Sequence, residues 1–102
     1  MCVVGGASGV TQLHNVVYVV RDDSSTIDMF TADKLSPLGE RIHVEGMRNP
    51  NDIVACRLDR QLYVADDDYC IWRVSADDHS YVKWLTTEST TDTFFVHAMH
   101  CR

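Results

Sequence analysis

Asp66-Asp67-Asp68 is the densest run of carboxylates in the chain, and Ca²⁺ is held by several oxygen ligands at once. The Asp, Gly and Glu that complete a helix–loop–helix calcium loop do not follow. The run therefore reads as a solvated turn. His97-Ala98-Met99-His100-Cys101 has zinc-ligand types, but on a strand positions 97 and 100 point to opposite faces, and so do 100 and 101. Cys56 with His97 or His100 would make a thiol–imidazole pair if their strands were adjacent. No feature marks an activated thiolate, and a buried structural cysteine is the expectation. Gly5-Gly6-Ala7-Ser8-Gly9 lacks the following Lys and the helix of a phosphate loop. No cofactor and no metal ligand is assigned.

The elements that would hold such residues are those of an ordinary globular chain of 102 residues, 45% apolar and 24% charged. The formal net charge of −6 argues against binding a phosphate backbone or anionic lipid, both of which need clustered Lys and Arg. Apolar runs are too short for a spanning helix, and Met1–Val10 lacks the basic start of a signal peptide. Cys2, Cys56, Cys70 and Cys101 form no C-x-x-C pair. They read as buried free thiols in a reducing compartment, and the expected location is cytoplasmic.

Strand periodicity dominates. Arg41-Ile42-His43-Val44-Glu45 and Tyr81-Val82-Lys83-Trp84-Leu85 alternate between polar and apolar. Val16–Val20 is β-branched and aromatic. Ile53-Val54-Ala55-Cys56 is apolar without alternation, as in a strand buried on both faces. Trp72 and Trp84 read as core. Asp- and Ser-rich turns punctuate the strands, and helical periodicity is absent.

A repeat underlies this pattern. Tyr18–Asp23 lies over Tyr63–Asp68 at a spacing of 45, Ile27 over Ile71 and Ala32-Asp33 over Ala76-Asp77 at 44, and Cys56-Arg57 over Cys101-Arg102 at 45. Four short strands in a period of this length are the signature of β-propeller blades. The predicted strands are 8–13, 15–20, 26–31 and 40–45, then 51–57, 61–66, 70–75 and 81–86. The fold class is all-β: about two four-stranded antiparallel blades in one partial propeller over 1–102, an incomplete ring. Blade one spans about 8–46, blade two about 47–88, and a further blade begins at about 93–102.

Asn49-Pro50, Asp52-Ile53-Val54-Ala55, Leu62-Tyr63-Val64-Ala65-Asp66 and Cys70-Ile71-Trp72-Arg73-Val74 together resemble an NHL repeat, the unit of a family of six-bladed propellers. The likeness covers 47–75 well and 10–31 loosely. The chain departs from it at Leu58-Asp59-Arg60, where glycines are usual, at Tyr69-Cys70, and at Val19-Val20-Arg21, where Val-Ala-Asp would stand. The resemblance implies a contact face built from the loops before the inner strand and between the second and third strands. Here that face carries Arg21, Asp22, Asp23, Arg48, Asn49, Asn51, Asp67, Asp68 and Tyr69. Its implied role is a non-enzymatic scaffold for a protein or peptide partner.

A second implied reading is a metal-dependent hydrolase or lactonase of the six-bladed kind, with Asp52 and Asn51 as the available ligands. A third is a purely structural partial propeller. Two blades leave two sheet faces without a neighbour, and bare apolar faces associate. Self-association is therefore expected, three copies giving six blades, unless the chain is a fragment of a longer propeller.

Overall fold

A computed structural model describes residues 7–66 and 70–86. They form eight strands: β1 Ala7–Leu13, β2 Val16–Arg21, β3 Thr26–Thr31, β4 Pro37–His43, β5 Pro50–Cys56, β6 Gln61–Asp66, β7 Cys70–Ser75 and β8 Tyr81–Thr86. No helix occurs among the described residues. The strands make two antiparallel four-stranded sheets in sequential order, β1 to β4 and β5 to β8. The two sheets do not close into a ring, an arrangement that fits two neighbouring propeller blades.

The repeat read from the sequence is a structural repeat. The inner strand of each sheet carries a register shift at the same place, between Ala7 and Gly9 and between Pro50 and Asp52. His14 and Arg60 both take the left-handed conformation in the first turn, and Leu35 and His79 do so in the third. The third turns are closed by matching bonds: Thr31 and Ser75 N–H donate to Ser36 and Ser80 carbonyls at 2.9 and 2.8 Å.

Ser80 N–H and Oγ–H also donate to Asp78 Oδ1 at 3.0 and 2.8 Å, which holds the Asp78 carboxyl below its ordinary pKa. The predicted fourth strand, 40–45, instead runs from Pro37 to His43. Val44 N–H leaves the β3–β4 ladder region to bond Ser25 O at 2.8 Å, and a turn follows through Met47 N–H to Val44 O.

The core lies between the sheets. Leu13, Tyr18, Val20, Ile27, Met29 and Ile42 of the first sheet, with Val44 of the connection after it, meet Ile53, Leu62, Val64, Cys70, Trp72 and Val74 of the second. Burying a side chain of this size contributes about 1.5–3 kcal/mol relative to exposure, so the inter-sheet face dominates stability. Ile53 and Ala55 face this core while Val54 and Cys56 face an outer cluster with Tyr63, Ala65 and Ile71. That is why the run 53–56 does not alternate.

The inner strands meet at Gly9. A Cβ there would stand 2.9 Å from Asp52 Cα and 3.0 Å from Ile53 N, so this approach requires the absence of a side chain. Beside it, Ser8 Oγ–H donates to Pro50 O at 2.5 Å.

Two expectations need correction. The outer faces are not bare: Val17, Val19 and Phe30 on the first sheet and Tyr63 and Ile71 on the second are buried. Among the described residues the exposed large apolar side chains are Val10, Leu38, Leu58 and Val82. The thiols are not uniform either. Cys70 is a buried thiol outside any disulfide, whereas Cys56 is disulfide-bonded, its partner lying outside the described residues, as do Cys2 and Cys101. Cys56 leaves its sheet on the outer face, where the first sheet does not wall it off from a second cysteine.

Candidate functional site

Antiparallel order gathers the β2–β3 turn, the connection 44–49 and the start of β5 along one edge of the molecule. Asp66 organises this edge. It is 4% exposed, a buried anchor and not part of a solvated turn. Its Oδ2 accepts Arg48 N–H at 3.1 Å and its Oδ1 accepts Asn49 N–H at 2.9 Å. Trp72 Nε1–H donates to Oδ2 at 3.0 Å, and the Cys70 thiol lies 4.0 Å away. A buried carboxylate is tolerated only when its lone pairs are filled in this way. The result is a backbone at 48–49 clamped to the end of β6.

Asn49 then carries the clamp to the first sheet. Its Oδ1 accepts Asp23 N–H at 2.7 Å, and Asp23 sits at a left-handed φ of 59°, a conformation Asp tolerates. Asn49 is therefore a half-buried bridge between turns. Arg21 pairs with Asp28. Asp22, Asp23, Arg48 and Asn51 are exposed on a backbone fixed from both sheets. Asp67, Asp68 and Tyr69 lie outside the described residues.

Asp52 Oδ1 accepts its neighbour's Ile53 N–H at 2.9 Å, and the described residues contain no group of three His, Cys, Asp or Glu placed to hold a metal. His97, His100 and Cys101 lie outside the described residues. The disulfide at Cys56 leaves it no thiolate for a Cys–His pair.

Sequence reasoning missed the opposite edge. Arg60 Nη1–H donates to His14 Nε2 at 2.7 Å, across the two sheets, and Arg60 Nε–H donates to Asp77 Oδ1 at 2.7 Å. Nearby, Tyr63 O–H donates to Asp59 Oδ2 at 3.0 Å. Burial, then that hydrogen bond and the Asp59 charge, push the Tyr63 hydroxyl up to about 12, against a smaller opposing pull from Arg73. Neither group belongs to a motif, so the spacing offered no signal.

It did offer one for Arg21. The repeat sets Arg21 over Asp66, a position where a carboxylate would be expected, and the compensating acid is Asp28, at the place of Trp72. No family model, curated protein or solved structure matches the chain, so the likeness of residues 47–75 to an NHL repeat stands on those residues alone.

Proposed function

We propose that the chain is a non-enzymatic binding scaffold that recognises a protein or peptide on the edge carrying Asp22, Asp23, Arg48 and Asn51. The observation that supports this is the double clamp: Asp66 holds the 48–49 backbone and Asn49 ties it to Asp23. Rigid loops on a sheet scaffold lose little entropy on binding. Mixed acid, base and amide suits a polypeptide, and the net charge of −6 disfavours nucleic acid.

Self-association, three copies supplying six sheets, is proposed from the sheet count and cyclic closure alone, since Val17, Val19, Phe30, Tyr63 and Ile71 are already buried. The cytoplasmic location expected from free thiols loses that ground at Cys56. No helix of the described residues is long and apolar enough to cross a membrane.

Cross-linking pull-down from a lysate, with the captured species identified, tests the reading. A polypeptide partner lost in an Asp22→Ser/Arg48→Ser/Asn51→Ala variant but retained in Arg60→Ala supports it. Capture of RNA alone, or of a partner indifferent to the edge variant, overturns it.

A further inference from the structure

The outer face of the first sheet carries a cleft of about 570 Å³, lined among others by Arg21, Asp28, Phe30, Pro37, Glu40 and Arg41. Its volume is within the range of small-molecule sites. The cleft lies where β3 and β4 fall out of step. Asp28 pairs with Arg41 and Phe30 with Pro37, so Leu38, Gly39 and Glu40 stand opposite Met29 alone. A bulge of this kind re-aims side chains along a strand. Gly39 turns it at a φ of +82°, a conformation that glycine takes without strain.

Asp28 holds two guanidiniums at once. Arg21 Nη1 pairs with its Oδ2, and Arg41 Nε lies 3.3 Å from its Oδ1, out of hydrogen-bond alignment. Among the described residues Asp28 is the only ion-pair partner of either arginine. A guanidinium has five N–H donors, so most of these are unused. The Arg41 side chain is 70% exposed, which leaves its fork on the open side of the cleft. Glu40 stands exposed on the rim and pairs with neither arginine.

Two guanidiniums against one carboxylate leave the triad one positive charge, in a chain whose net charge is −6. On the second sheet the corresponding position is closed. Arg48 and Asn49 N–H and Trp72 Nε1–H fill Asp66, and a Cβ at Gly46 would come within 3.2 Å of the Trp72 ring. The polar groups of that site are met, whereas the arginine donors of the first sheet line a cleft.

We propose that the Arg21–Asp28–Arg41 cleft is a binding site for a small monocarboxylate with an apolar body. A guanidinium fork matches a carboxylate with two parallel hydrogen bonds. Asp28 positions both forks while leaving their outer donors free, so less freedom is lost when the acid arrives. One negative charge neutralises the triad. A phosphate monoester carries about 1.5–2 charges near neutral pH, and the excess would face Asp28 and Glu40. Met29, Phe30 and Pro37 supply the apolar wall. The site does not rest on the proposed function, and its arginines are outside the residues replaced in the edge variant.

The test is a titration of the isotope-labelled full chain with 3-phenylpropanoate, followed by its backbone and arginine N–H resonances. The neutral 3-phenylpropanamide and phenyl phosphate are the comparison probes. The acid should bind with a Kd of about 1 mM or tighter and move the signals of Arg21, Gly39 and Arg41. Arg41→Gln should weaken it by about tenfold, and Glu40→Gln, which removes a like charge from the rim, should tighten it. A thermal melt of each variant checks folding. If Arg41→Gln unfolds, Glu40→Gln and the two comparison probes carry the test.

Silence of these signals at about 20 mM acid overturns the proposal. So does an amide that binds as well as the acid, a phosphate that binds more tightly, or a folded Arg41→Gln that binds unchanged. Weaker binding in a folded Glu40→Gln overturns it too. The outcome of the edge-variant pull-down bears only on the recognition reading.

Discussion

Asp66 and Trp72 are joined by a buried hydrogen bond, Nε1 to Oδ2 at 3.0 Å, at the positions that Arg21 and Asp28 occupy as an ion pair in the first sheet. Forty-five residues separate Arg21 from Asp66, and 44 separate Asp28 from Trp72. One site in the repeat thus holds an acid bound to a neutral donor in one sheet, and a base bound to an acid in the other. In the second sheet the site is closed by the preceding connection. In the first it is an open cleft.

Asp66→Asn should cost about 2–4 kcal/mol in urea unfolding. The carboxylate accepts from two backbone N–H groups and an indole N–H in a buried site. An amide turns one acceptor into a donor facing donors, and unsatisfied buried groups carry their full desolvation penalty. Trp72→Phe should cost less, because it removes one donor and leaves the backbone clamp intact.

Gly9→Ala should destabilise by about 1–3 kcal/mol, because the new methyl meets the Asp52 and Ile53 backbone at 2.9–3.1 Å, and backbone yields less readily than a side chain. Gly39→Ala is the control. It has φ of +82° with nothing within 4 Å of the new carbon, so only the conformational cost of about 1 kcal/mol applies. A larger loss at Gly39 than at Gly9 would contradict the close inner-strand packing.

Arg60→Ala should cost under about 1 kcal/mol. Arg60 bridges the sheets through His14 and pairs with Asp77, but both ends are exposed, and exposed pairs gain little after side-chain ordering and salt screening. Equilibrium unfolding at low and high salt checks this. A loss as large as that of Asp66→Asn would mean that the far edge contributes as much as the Asp66 clamp.

The alternation at 41–45, the repeat spacing and the turn residues made the strands legible, because a sheet with one buried face writes its period into the chain. Asp66 was legible as a turn carboxylate. Its burial was not, since that depends on Trp72 and the 48–49 backbone folding over it. The substitution of Arg21 for an acid was visible, but Asp28 as its answer was not, because the pairing is made across β2 and β3. Cys56 was misread because the residues around it do not say which sheet face it leaves by.

Tyr63 contributes to the alkaline limit of stability, as does Tyr18, whose hydroxyl pKa burial also raises. The Tyr63 hydroxyl titrates near 12 in the folded chain and near 10 when unfolded. The folded state therefore holds the proton more tightly. The contribution is fully present below pH of about 10 and is lost as pH rises from about 10 to about 12. Asp59→Asn removes the charge and weakens the hydrogen bond while leaving the burial, which is the larger cause. Spectrophotometric titration should show the Tyr63 ionisation moving down in that variant while remaining above the ordinary tyrosine value. A return to the ordinary value would mean that Asp59, and not burial, is the main cause of the shift.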